Sequence, residues 1–179
     1  MSRPPLLDAV LSRLRARMAG ARHTPAPSGA APLPSLRGPS ATVRGGVYPG
    51  DFHGPLHPTY DPHDDDRADP GEVVWAWVPY EEDPARGKDR PALVVGRDGE
   101  WLLALPVTSK DHDRDADQEA AAGRFWVDLG TGGWDARGRP SEARVNRVVR
   151  LAPDAVRRIG ARLDRTRFDE VCAAMARHR

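Results

Sequence analysis

The sequence has almost no cysteine. Its one thiol, Cys172, rules out an intramolecular disulfide framework in a chain of 179 residues and fits a reducing, cytoplasmic setting. No apolar run approaches the ~20 residues needed to cross a bilayer, and no secretory h-region stands out, so no membrane partner is expected. Net charge is missing as well. Lys plus Arg number 27 and Asp plus Glu 26, a formal balance of +1, and residues 71–179 hold 19 of each. A globally basic field is thereby excluded, so any nucleic-acid binding must come from a local cluster of cations. Hydrophobic residues make up only 39%, while Pro and Gly number 18 and 17. The length allows one domain with a real core, yet a large share of the chain is not expected to join it.

That share falls at the N-terminus. Leu6, Leu7, Val10, Leu11, Leu14 and Met18 recur at helical spacing among arginines and predict a short amphipathic helix over about residues 4–19. It could dock a partner or a membrane surface; the preferred reading is a terminal helix that is marginal alone. From Ala19 to Pro70 the composition turns to Pro, Gly, Ser, Ala and charge, which cannot bury enough apolar surface to offset the entropy of ordering. A flexible linker is predicted there. Its His/Asp-rich patch (Asp51, His53, His57, His63 and Asp64 to Asp66) fits no closed zinc spacing and reads as a solvated acidic stretch. Residues 1–70 are thus expected to form an extension and residues 71–179 the folded domain, with no metal and no cofactor.

The folded part opens with three strands. Val73, Trp75 and Trp77, then Ala92 to Val95, then Trp101 to Val107 are the β-branched, aromatic and aliphatic runs that suit a pleated surface. Asp98-Gly99 between the second and third is a strong hairpin signal. The first connection is rich in charge, with Glu81, Glu82, Asp83, Arg86, Lys88 and Asp89, and must face solvent or a polar partner. After a charged loop from Ser109 to Glu119, Phe125 to Leu129 predicts a fourth strand, and the glycines from Gly130 to Gly138 predict tight turns. The Gly-rich run lacks the Lys-Ser/Thr of a phosphate-binding loop. Trp134 within it would cap the core or stack a base, capping being the commoner use. Ala143 to Leu151 reads as one strand with a basic face of Arg144, Arg147 and Arg150, and Pro153 to Ile159 as a helical turn stopped by Gly160. A closing helix is predicted over Arg165 to Arg177, burying Phe168, Val171, Cys172 and Met175, which makes Cys172 a small hydrophobe rather than a nucleophile. Pattern alone gives a mainly β fold, a small antiparallel barrel with C-terminal helices.

Three segments carry a resemblance: Gly71-Glu72-Val73-Val74-Trp75, Asp89-Arg90-Pro91-Ala92-Leu93-Val94-Val95 and Leu105-Pro106-Val107-Thr108-Ser109. In this order and spacing they resemble the MazF/PemK family, the endoribonuclease toxins of bacterial type II toxin–antitoxin pairs. The likeness continues more loosely through Arg144-Val145-Asn146-Arg147 and the closing helix, and leaves residues 1–70 out. It implies an SH3-like barrel of the MazF/CcdB/Kid kind, a homodimer with single-stranded RNA in a groove across it, and a cognate antitoxin as partner.

The chemistry so implied has three demands. A ribose 2′-hydroxyl must lose its proton, charge must be stabilised on a pentavalent phosphorus, and the leaving 5′-oxygen must be protonated. Arginine suits the second, because its planar fork meets phosphate oxygens in a bidentate way. The resemblance maps active-site residues onto Arg90 and Thr108 and a catalytic arginine, a general acid in some members, onto Arg144. Lys88, Ser109, Asn146 and Arg147 are expected to bind RNA. Without the resemblance, Arg90 would read as a salt bridge to Asp89 or Glu82 and Thr108 as an ordinary strand-end hydroxyl. The chain departs from the family pattern at Asn146, where some members carry an aspartate base: an amide cannot accept the 2′-proton near neutral pH. The histidine that those members place in the first connection is also missing. Either the mechanism follows the arginine–threonine version of the family, or Asp111 or His112 substitutes as base, or catalysis is weak. Two alternatives follow: a nucleic-acid-binding regulatory module, and a gyrase-directed toxin on the same fold.

Overall fold

The computed structural model describes residues 48–110 and 116–179. The helix expected over residues 4–19, the first part of the expected linker, and Asp111 and His112 lie outside the described residues. The remainder falls within one compact unit. It holds seven strands: β1 (Glu72–Pro79), β2 (Gly87–Asp98), β3 (Trp101–Thr108), β4 (Trp126–Gly130), β5 (Ser141–Arg144), β6 (Val149–Leu151) and β7 (Val156–Arg162). Two α-helices accompany them, a short α1 (Ala116–Ala121) in the expected charged loop and the closing α2 (Arg165–His178).

All pairings are antiparallel, in the order β4-β5-β3-β2-β1-β7. The Asp98-Gly99 hairpin forms as predicted, with Gly99 at φ +60°, where a residue without Cβ is least strained. The free edge of β3 is shared: Leu102 to Ala104 pair with β6, and Val107 and Thr108 pair with β5. The mainly β architecture with its closing helix is therefore the expected one. The expected barrel is not closed by hydrogen bonds, since β4 and β7 end the strand order as two edges.

Two elements differ from the sequence reading. The single strand expected over 143–151 is split into β5 and β6, because the backbone N–H of Val145 donates to Phe125 (2.9 Å) outside the ladder. The helical turn expected over 153–159 is only a 3₁₀ turn, Pro153–Ala155, followed by β7. Val156 and Ile159, three apart, look helical in the sequence. They pair with Ala76 and Val74, and register shifts along β1 absorb the extra residues that imitate the helical period.

Strand alternation divides the core into two faces. Val73, Leu93, Val95, Leu103, Leu105 and Val107 lie on one, beneath Trp134 and the Phe168, Val171 and Met175 side of α2. Asp164 caps that helix, accepting from the backbone N–H groups of Thr166 and Arg167. Val74, Ala76, Val78, Ala92, Val94, Leu102, Ala104, Val149 and Leu151 line the other. Trp134 has the capping role: it is buried, its indole N–H donates to Ser141 Oγ (3.2 Å), and its carbonyl accepts from the Trp75 indole (2.7 Å).

A flexible linker running to Pro70 does not hold for residues 48–70. Phe52, Leu56 and Tyr60 pack against the first core face. The Phe52 N–H donates to Val148 (2.7 Å), the Thr59 N–H to Val95 (3.0 Å) and the Tyr60 hydroxyl to the Leu163 carbonyl (2.8 Å). Composition misled here because this arm builds no core of its own. Three apolar side chains suffice when they land on a surface that the sheet and α2 have already formed.

Candidate active site

The register fixes the centre of the site. On β2 and β3 the last printed pair is Ala92 with Pro106, and two residues further on stand Arg90 and Thr108. Thr108 is paired on its other side with Glu142 of β5. Directly paired residues share a face and side chains alternate, so Arg90, Thr108, Glu142 and Arg144 project from the same side of three adjacent strands. That side continues the second core face past its apolar end.

Arg90 is half-buried. Its Nε is buried without a hydrogen-bond partner, and among the described residues Arg90 forms no salt bridge. Asp89, one candidate partner, instead accepts from Arg157 (2.6 Å). Burial, and then the Arg147 cation nearby, push the Arg90 guanidinium below its usual range, while Tyr80 and Glu82 act in the opposite sense. An unpartnered buried N–H on a cation is costly, and an anion placed there would relieve it.

The other arginines are occupied. Arg144 makes a bidentate pair with Glu81 (2.7 and 3.1 Å), its own side chain 12% exposed and that of Glu81 53%. Arg147 is nearly enclosed: Nε donates to Asp51 (2.7 Å), and one terminal nitrogen to the Pro79 carbonyl (2.9 Å). Asp51 comes from the arm and is steadied by the Tyr48 hydroxyl (2.6 Å), whose own ionisation burial and that carboxylate push up. Arg150, the third cation of the basic run, is bound to Asp98 and to the Gly50 and Asp51 carbonyls.

Asn146 has a scaffolding position. Its Nδ2 donates to the Gly123 carbonyl (2.5 Å), and its Oδ1 accepts from the Phe125 N–H (3.3 Å) and Arg144 Nε (3.4 Å). Thr108 Oγ1 accepts from the Lys110 N–H (3.2 Å) and so turns the chain at the end of β3. Ser109 follows it half-buried, and Lys88 is exposed on β2, two residues before Arg90 and on its side. Asp111 and His112 lie outside the described residues.

The structure thus brings Arg90, Thr108 and Arg144 together, encloses Arg147 beside them, and fastens Asn146 to a neighbouring loop. Sequence reasoning missed Glu81, Asp51 and Glu142 as members of this cluster. Only Glu142 had a readable signal, its two-residue offset from Arg144 on one strand. Glu81 and Asp51 arrive from a loop and from the arm, which no local spacing reveals. Among the described residues no three His, Cys, Asp or Glu side chains group as a metal site.

Comparison with known proteins adds the following. No curated protein matches the chain. Among solved structures, the chain is similar to the Mycobacterium tuberculosis toxin MazF-mt6 at 15% identity, with 60% of this chain and 94% of that one covered and a TM-score of 0.40. It is similar to MazF from Deinococcus radiodurans at 18% identity, over 63% and 96% of the two chains, with a TM-score of 0.46. A mycobacterial endoribonuclease in complex with its cognate antitoxin matches at 13% identity, over 61% and 91%, with a TM-score of 0.43. The family described as PemK-like, MazF-like toxin of type II toxin-antitoxin system matches residues 69–178, the span that contains the Arg90, Thr108 and Arg144 strands. With more than half of its length matched, the chain belongs to the PemK-like, MazF-like family of type II toxins.

Proposed function

We propose that the chain is an endoribonuclease that cleaves single-stranded RNA by attack of a ribose 2′-hydroxyl on the adjacent phosphorus, giving a 2′,3′-cyclic phosphate and a 5′-hydroxyl. The observation that carries this reading is the half-buried Arg90 guanidinium with its unpartnered Nε, set in register with Thr108. A desolvated, pre-placed fork of N–H donors is what a phosphorane with growing negative charge requires, and it reorganises little as the charge develops. Thr108 presents a hydroxyl to the same phosphate. Arg144, from the next strand, serves the leaving 5′-oxygen once RNA displaces Glu81. Lys88 and Ser109 contact RNA at the rim, while Arg147 and Asn146 support the site from behind. The active unit is a homodimer, held in check by a cognate antitoxin whose acidic groups compete for the same arginines.

The test is cleavage of mixed-sequence single-stranded RNA in excess chelator, with fragment ends mapped. Cyclic phosphate ends from the wild type are expected. Arg90→Ala is expected to slow their formation by roughly 100-fold or more, and Arg90→Lys not to restore it, because a point charge does not reproduce the fork. A wild type that binds RNA without cutting it would sink the enzyme and leave a binding module. A wild type that does neither would point to a protein target such as gyrase.

A further inference from the structure

The reaction proposed above needs a proton acceptor, and resting on that reading we propose that Glu142 is the general base. The amide at Asn146 is chemically unable to do this and is tied to Gly123 and Phe125. Glu81 is held by both terminal nitrogens of Arg144. Asp128, across from Glu142 on β4, accepts from the Gly130 N–H (2.7 Å) within its own turn. Glu142 stands apart from all three. It is paired directly with Thr108, on the face that carries Arg90, and it is only 9% exposed. Directly paired residues have Cβ atoms about 4.5–5.5 Å apart, so a phosphate that meets Thr108 and Arg90 brings its neighbouring ribose within reach of the Glu142 carboxylate.

In the step itself, the Glu142 carboxylate takes the 2′-hydroxyl proton as the 2′-oxygen bonds to phosphorus. The bond from phosphorus to the 5′-oxygen then breaks, and that oxygen takes up a proton. The carboxylic acid left on Glu142 returns its proton to water before the next turnover. No oxidant, metal or co-substrate enters the balance. Arg144, two residues away on the same strand and face, keeps a cation beside the carboxylate while RNA occupies the groove.

The experiment uses the full chain and three forms, wild type, Glu142→Gln and Glu142→Asp. Each is assayed on single-stranded RNA and for binding to the same RNA carrying 2′-O-methyl riboses, which cannot be cleaved. Loss of a general base predicts that Glu142→Gln lowers kcat by roughly 100-fold or more, while KM and binding of the methylated RNA stay within about twofold. Glu142→Asp, a base set back by one methylene, is expected to retain more activity than Glu142→Gln. Cleavage by Glu142→Gln within about threefold of wild type would overturn the proposal and leave the endoribonuclease reading intact. Parallel loss of cleavage and methylated-RNA binding would overturn it in favour of a structural role. If Glu142→Gln fails to melt cooperatively, Glu142→Asp decides, since its full activity with a retained fold would be overturning too. No cleavage by the wild type removes the reading and the inference together.

Discussion

At the scale of single residues, the site is a contest over arginines. Arg144 and Arg147 are both neutralised from within the chain, but differently. The Arg144 pair is reached by solvent through its half-exposed carboxylate, so an RNA phosphate can compete for it. The Arg147 pair is 7% and 16% exposed at its two side chains, which makes it a supporting contact. Removing one partner of a buried pair leaves an uncompensated charge, at a cost of about 3–5 kcal/mol. Asp51→Asn should therefore lower Tm by several degrees in a thermal melt, and adding Arg147→Met should recover much of the loss. Cys172 offers a second check. Burial, aided by Asp169, pushes its thiol up to about 11, so the thiolate is scarce at neutral pH. Alkylation by iodoacetamide should be slow at pH 8 and quicken about tenfold per pH unit toward 11, following the thiolate fraction.

At the scale of elements, the arm formed by residues 48–70 changes what counts as the domain. The family match begins at residue 69, so most of the arm lies outside it. The arm nevertheless supplies Asp51 to Arg147 and three apolar side chains to the core. Arg179, at the end of the chain, donates to the Phe52 and Gly54 carbonyls and holds the arm to α2. A chain starting at Tyr48 should melt cooperatively. One starting at Asp69 should melt at a clearly lower temperature, having lost the cover over Phe168 and the counter-ion of Arg147. Equal melts for the two would show that the arm adds nothing to stability. The strands themselves were legible where alternation and turn residues agreed, as in β1 to β3 and the Asp98-Gly99 hairpin. β7 was not, because its register shifts space Val156 and Ile159 as a helix would.

At the scale of the whole molecule, charge balance limits how RNA can be held. With 19 cations against 19 anions in residues 71–179, no long-range field draws RNA in. Affinity must come from a few phosphate contacts, and each lost contact lowers the salt slope by roughly 0.7 for a single strand. Binding of 2′-O-methyl RNA measured across a salt series should show that drop for Arg90→Ala. Arg147→Ala should leave the slope unchanged, because Asp51 already cancels that charge. A drop for Arg147→Ala as large as for Arg90→Ala would return Arg147 to the RNA surface.

The sequence by itself determined the order of most strands, the closing helix, and the three segments that mark the family. These are local facts, written in alternation, turn chemistry and motif spacing. It also named Arg90, Thr108 and Arg144, though only through the resemblance, since an arginine before a strand carries no local sign of burial. Tertiary structure alone decided which arginine stays unpartnered, that Asn146 fastens a loop, that an arm of sparse hydrophobicity joins the core, and that Glu142 stands beside Thr108. Each of these depends on which strands pair and in what register. Register is settled by the summed burial of whole faces, a sum that no single stretch of the sequence contains.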